Sequence, residues 1–189
     1  MLSALFLNER CDRFYESDLM VLLLSAAQQQ SLGNHAQSTY PEECCGLLLG
    51  TLAAGDTPRT VQHIQPLQNQ WVPAVQTVTD PDGAATLGDA NGDPSRRRRY
   101  WIDPKDLLAA QRDARDRNWV ILGIYHSHPD HPAVPSECDR ALAWPEYSYV
   151  ILSVHQGTVV DCQSWRLDDH HQFQPEPIQA KDPSELPEA

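Results

Sequence analysis

Basic residues are scarce in this 189-residue chain: 14 Lys and Arg stand against 26 Asp and Glu, a formal charge of -12. A surface with that balance repels phosphate backbones over long range, which argues against nucleic acid as a partner. Long apolar runs are lacking too. The longest, Leu19 to Leu24, falls far short of the roughly 20 residues a bilayer demands, and the opening stretch Met1 to Leu7 carries no basic region. No membrane span, signal or anchor is expected. The five cysteines (Cys11, Cys44, Cys45, Cys138 and Cys162) are odd in number and contain no Cys-x-x-Cys pair. That fits neither a disulfide framework nor a thiolate zinc site and points to a reducing cytoplasm. There is no His-Glu-x-x-His helix, no paired Cys-x-x-Cys beside His-x-Glu, and no internal repeat. The chain is also too short for a (β/α)₈ hydrolase, which typically takes about 250 residues.

What is present suits one folded domain, since 41% hydrophobic and 21% charged residues are ordinary globular usage. Residues 1–16 read as a lead-in. Ser17 is placed to cap a helix through the apolar stretch from Asp18 to Ala27, ending by about His35 before Tyr40-Pro41. Cys44 to Gly50 has the pattern of a buried strand with Glu43 at its mouth, and Val61 to Leu67 of a second. Residues 68–95, with three prolines and three glycines, read as a long loop or insertion, either disordered or a lid. The run Arg96 to Arg99 reads as a solvated edge, with contact to an acidic substrate surface as the alternative. Asp103-Pro104 opens a helix that runs to about Asn118, and Val120 to Tyr125 is an interior strand continuing into His126-Ser127-His128-Pro129. A short helix at Ser136 to Ala143 and strands at Ser148 to His155 and Thr158 to Leu167 follow, the strands parted by Gln156-Gly157. The order is that of an α+β domain over 17–167. Residues 168–189, with six acids, four prolines and one lysine, read as a mobile acidic extension.

The chemistry gathers after the interior strand. Side chains two apart on a strand share a face, so His126 and His128 can offer two imidazoles to one ion while Ser127 points away. Asp139, a few residues on at a helix start, can fold back to supply a carboxylate. Two histidines and one carboxylate leave a tetrahedral zinc one position short, the arrangement of a catalytic site. Ser136 to Asp139 equally matches a capping box, and on the residues alone both uses stay open. Water activated at such a site needs a proton carrier, for which Glu43 is the best candidate. Ser136 is open between helix cap and hydrogen-bond donor to a developing oxyanion. A cysteine nucleophile, Cys45 or Cys138, is disfavoured because both lie in elements expected to be packed.

The string His126-Ser127-His128-Pro129, then Ser136 and Asp139, with Pro41-Glu42-Glu43-Cys44-Cys45-Gly46 upstream, closely resembles the JAMM motif of the JAB1/MPN/Mov34 metalloprotease family. Arg98-Arg99-Tyr100, Asp103-Pro104 and Ala141-Leu142-Ala143-Trp144-Pro145 resemble its compact bacterial branch. The resemblance implies an MPN fold, a cytidine-deaminase-like curved mixed sheet flanked by helices. It implies one Zn2+ per chain on His126, His128 and Asp139, with Glu43 as general base and acid and Ser136 assisting the tetrahedral intermediate. It further implies hydrolysis of a peptide or isopeptide bond at the C-terminal tail of a ubiquitin-like or sulfur-carrier protein. Two other readings are a zinc peptidase for a different small peptide and an MPN scaffold without turnover; the complete ligand set argues against the scaffold.

Overall fold

The computed structural model describes residues 21–52, 58–72 and 95–181. One eight-stranded mixed sheet organises them: β1 (Leu22–Leu24), β2 (Cys45–Leu52), β3 (Arg59–Leu67), β4 (Val120–Pro129), β5 (Ser148–His155), β6 (Thr158–Leu167), β7 (Phe173–Glu176) and β8 (Ile178–Ala180), in the order β7-β6-β5-β4-β2-β3-β1-β8. Three helices accompany it: α1 (Ala26–Thr39), α2 (Pro104–Asp116) and α3 (Glu137–Leu142). β4 and β5 are parallel, as are β1 with β3 and β1 with β8; the other neighbours are antiparallel. Parallel strands need a crossover, and 130–147 with α3 supplies the one from β4 to β5. Among the described residues no helix is long and apolar enough to cross a membrane.

The helix expected from Ser17 is corrected here. Leu22–Leu24 is a strand held between β3 and β8 with Leu22 and Leu24 fully buried, and the helix begins only at Ala26 and runs to Thr39. Its cap is Ser25, whose hydroxyl accepts from the Gln28 N–H while the Gln28 side chain accepts from the Ser25 N–H. A short leucine run suits a buried strand as well as a helix, and the free edges of β3 and β8 decide between them. Ser17, Asp18 and the lead-in lie outside the described residues, as do 73–94 of the long loop and 182–189 of the acidic tail.

The tail reading is also corrected. Residues 173–180 are not a mobile extension: β7 and β8 occupy the two ends of the strand order yet are joined by Pro177 alone. A chain that crosses from one edge to the other in one residue forces the sheet to curl nearly shut, and a Leu22 N–H to Pro177 carbonyl bond of 3.0 Å helps close the seam. Glu176 is buried there and accepts from the Ser148 and Ser164 hydroxyls at 3.1 and 2.6 Å. Tight register at the seam explains why strands form in a segment rich in polar residues and proline.

Two apolar layers lie on the two faces of the sheet. α1 places Leu32 and Ala36 against Leu48, Val61, Leu122, Tyr125, Val150 and Val154; α2 places Ala110 and Ala114 against Leu47 and Leu49, with Ile121 and Ile124 packed beside them. The alternation along β4 breaks between Ile121 and Gly123, where the register against β2 skips Leu122. This is a β-bulge, and it moves every later side chain of β4 to the opposite face. Without it His126 and His128 would turn toward α1; with it they share the α2 face with Ile124. The bulge leaves the Leu122 carbonyl outside the ladder, and the buried Arg59 guanidinium donates to it at 3.0 Å and to the Glu146 carbonyl at 2.7 Å.

Glycine is required at the bulge, because a Cβ on Gly123 would lie 2.0 Å from the Ser148 carbonyl oxygen. Gly123→Ala should therefore destabilise the protein by about 1–3 kcal/mol or more. Denaturant unfolding of the variant beside wild type checks this, and an unchanged midpoint would refute the role given to the bulge.

Candidate metal centre

β4 carries the two imidazoles to the α2 face and stitches them to Glu43. The Ser127 N–H donates to the Cys44 carbonyl at 3.2 Å, and the Ser127 hydroxyl accepts from the Cys44 N–H at 2.9 Å. The residue after Glu43 is thus bonded to the residue between the histidines. His128 Nδ1 lies 2.9 Å from the Pro132 carbonyl, which can only accept, so Nδ1 carries a ring proton and, in the neutral ring, the Nε2 lone pair faces the site. His126 is wholly buried and stacks on Tyr100 at 4.6 Å between ring centroids.

Asp139 arrives from the first turn of α3. Ser136 is the N-cap: its hydroxyl accepts from the Asp139 N–H at 3.2 Å and donates to Asp139 Oδ2 at 2.6 Å, while its own N–H donates to Oδ2 at 2.7 Å. The cap and the approach to the histidines coexist, because each carboxylate oxygen still reaches an imidazole. His126 Nε2 is 3.3 Å from Oδ1, His128 Nε2 is 3.6 Å from Oδ2, and the two Nε2 atoms are 3.0 Å apart. Tetrahedral bonds of about 2.0–2.2 Å set neighbouring donors about 3.3–3.6 Å apart; the two imidazole–carboxylate distances match that spacing, the two Nε2 atoms stand somewhat closer, and one ligand atom from each residue lies within 4.8 Å of the others. Among the described residues this is the group of three that could hold a metal ion.

The electrostatics agree with a cation at this point. Burial tends to raise the Asp139 carboxyl, but the two histidines outweigh it and hold it well below the usual carboxylate range. Burial lowers His126. Burial also works against a proton on His128, yet Asp139 and Glu43 prevail and raise it to about 8. Glu43, buried just before β2, is pushed up to about 8 by desolvation. Two facing imidazoles cannot both be protonated cheaply, and a divalent ion relieves the site without adding a proton.

Glu43, His128, Ser136 and Asp139 line one cavity of about 810 Å³. Much of its remaining wall is apolar, from Ile102, Leu107, Ile124, Val134, Leu142 and Trp144. Arg97, Arg98 and Arg99 line it as well, which corrects the solvated-edge reading: only Arg97 is exposed. What holds this run in place is Asn69, a buried residue that the sequence reading passed over. Its amide donates to the carbonyls of Glu43 (3.1 Å) and Arg99 (2.9 Å), and its oxygen accepts from the N–H groups of Trp71 (3.0 Å) and Trp101 (3.2 Å). A Glu43 N–H to Arg96 carbonyl bond of 2.7 Å completes the tie. An asparagine at the end of a strand carries no local signal for such a role; only the partners' positions reveal it. The cysteines stay out of the chemistry, since burial pushes the Cys138 thiol up to about 11 and the Cys45 thiol higher still, far from thiolate at neutral pH.

Comparison with known proteins agrees with this geometry. A family model described as prokaryotic homologs of the JAB domain matches residues 25–168. The chain is 30% identical over 137 residues to desampylase of Haloferax volcanii, a match covering 70% of this chain and 80% of that protein. It is 29% identical over 150 residues to CysO-cysteine peptidase of Mycobacterium tuberculosis, covering 79% and 84%. The solution structure of a protein from Desulfitobacterium hafniense matches with a TM-score of 0.64 and 32% identity, over 86% of this chain and 94% of that one.

Two measurements test the site. Elemental mass spectrometry should find about one zinc per wild-type chain and none in the His126→Ala/His128→Ala variant, as expected when two of three ligands go. Asn69→Ala strands buried N–H and carbonyl groups and should lower stability by about 1–3 kcal/mol in thermal unfolding.

Proposed function

Because the chain belongs to the family of prokaryotic homologs of the JAB domain, we propose that it is a zinc-dependent peptidase that cuts a peptide or isopeptide bond at the C-terminal tail of a ubiquitin-like or sulfur-carrier protein. The observation that carries this reading is the meeting of His126, His128 and Asp139 as a group that could hold a metal ion, with His128 and Asp139 lining the same cavity as a buried glutamate. Relatives named desampylase and CysO-cysteine peptidase support the substrate class. An odd cysteine count, with Cys44, Cys45, Cys138 and Cys162 as free thiols, fits a reducing compartment such as the cytoplasm.

The roles divide among the chain's own residues. His126, His128 and Asp139 would hold the ion through Nε2, Nε2 and a carboxylate oxygen. Bound zinc supplies a Lewis acid for the substrate carbonyl and lowers the pKa of water. Glu43 takes the proton from the attacking water and delivers it to the departing amine, a task suited to a carboxylate whose burial raises its proton affinity. Ser136 caps α3 and thereby orients Asp139, and its hydroxyl serves the carbonyl oxygen as negative charge develops there by turning the hydrogen it gives to Asp139 Oδ2 toward that oxygen.

Glu43→Gln keeps the shape of the side chain and removes its proton transfer. Zinc content should stay at the wild-type level while cleavage of a carrier-tail fusion, followed by electrophoresis, falls by about 10²–10⁴-fold; unchanged cleavage would sink the general-base role. Ser136→Ala separates the two uses of the hydroxyl. A stability loss of about 0.5–2 kcal/mol at full rate means a cap alone. A fall in kcat of about 10²-fold with zinc retained means the hydroxyl also serves the oxyanion.

A further inference from the structure

Nothing in the mechanism above uses the arginines that line its cavity. Arg96 to Arg99 are four of only 14 cationic residues in a chain of charge -12, and three of them line the cavity that also holds Glu43, His128 and Asp139. Their backbone is not a loose loop. Asn69 bonds the Arg99 carbonyl and the Glu43 carbonyl through a single amide nitrogen, so the arginine run and the proton carrier are held side by side. The Arg99 guanidinium further donates to the Arg98 carbonyl at 2.8 Å, which limits its freedom.

The three arginines do not stand in the same place. The charges of Arg98 and Arg99 both act on Glu43, and that of Arg99 also acts on Cys138, the neighbour of Asp139. Arg97 is the exposed one of the three, whereas Arg98 and Arg99 are half-buried in the cavity wall. Arg98 and Arg99 therefore belong to the reacting end of the cavity, and Arg97 to its rim. A guanidinium in a largely apolar cavity favours a planar anion that can accept two parallel N–H bonds, and a carboxylate has that shape. In so acidic a chain this patch also offsets, at the cavity, the long-range repulsion of a substrate that carries a carboxylate.

We propose that Arg98 and Arg99 form a carboxylate-binding subsite beside the scissile bond, so that the preferred substrate carries a carboxylate there. The inference rests on the peptidase reading above and adds its specificity. The carboxylate has two possible sources, an acidic side chain near the cut or the free C-terminus of the departing segment, and the test distinguishes them.

Binding is measured on the zinc-loaded full chain carrying Glu43→Gln, so that turnover does not intrude. The probes are four fluorescein-labelled octapeptides of one sequence, with either Glu or Gln near the middle and a C-terminus either free or amidated. Fluorescence anisotropy should show a peptide bearing the recognised carboxylate binding about tenfold or more tightly than the doubly neutral one. Which peptide gains identifies the source. Adding Arg98→Ala/Arg99→Ala should cut that advantage to below about twofold while zinc content and the neutral peptide's affinity hold. Arg99→Gln alone covers the case in which the double variant folds poorly, and should lose a large part of the advantage. An advantage below about twofold in the parent, or one that survives both variants, overturns the subsite. The peptidase reading is judged separately, by Glu43-dependent cleavage of carrier-tail fusions: cleavage without charge preference removes only the subsite, and charge preference without cleavage removes only the peptidase.

Discussion

One extra residue in β4 decides where the chemistry stands. The bulge around Leu122 interrupts a strict two-residue alternation, and the interruption hands His126 and His128 to the face that also receives Asp139 and borders Glu43. The rest of the site depends on it, because a strand cannot rotate single side chains without shifting its whole register. The fold answers the bulge's unpaired carbonyl with Arg59, a buried cation from the start of β3 that also reaches the Glu146 carbonyl ahead of β5. A charge in the interior is costly unless its hydrogen bonds are filled, and these two carbonyls fill part of that need.

The nearly closed sheet is the frame that makes such a bulge rigid. With β7 and β8 joined through Pro177, neither end of the sheet is free to splay, and β4 lies near its middle between β2 and β5. α1 fills one side; His35 Nδ1 and the Tyr125 hydroxyl, 2.8 Å apart, tie that helix to β4 directly beneath His126. On the other side α2, Tyr100 and the Asn69-bound segment leave an open cavity. Rigidity below and access above are what a hydrolytic centre needs, since the ligands must hold position while a substrate passes.

The site gathers opposing requirements in a small volume. Burial raises Glu43 and lowers His126, while the imidazoles hold Asp139 ionised. A cation held by His126, His128 and Asp139 would satisfy all three at once. The Ser136 capping box shows the same economy: the bonds that start α3 also aim the Asp139 carboxylate, so helix propensity and ligand geometry reinforce each other.

Much of this was legible in the sequence where the signal is local. The spacing of His126 and His128, the capping pattern of Ser136 and Asp139, the Asp103-Pro104 helix start and the Gln156-Gly157 turn each depend on residues within a few positions, and the structure has elements where those patterns place them. Local pattern was not enough for Leu22–Leu24, which reads as helix until β3 and β8 offer ladders on both sides, nor for 173–180, whose prolines and acids suggested a loose tail. Asn69 and the arginine wall were out of reach for the same reason. By itself, then, the sequence determined which groups are available as ligands, acid and base, because their types and short spacings are properties of neighbouring residues. The tertiary structure alone decided which face they occupy and what surrounds them, because a bulge, a closing seam and one shared amide act between segments tens of residues apart.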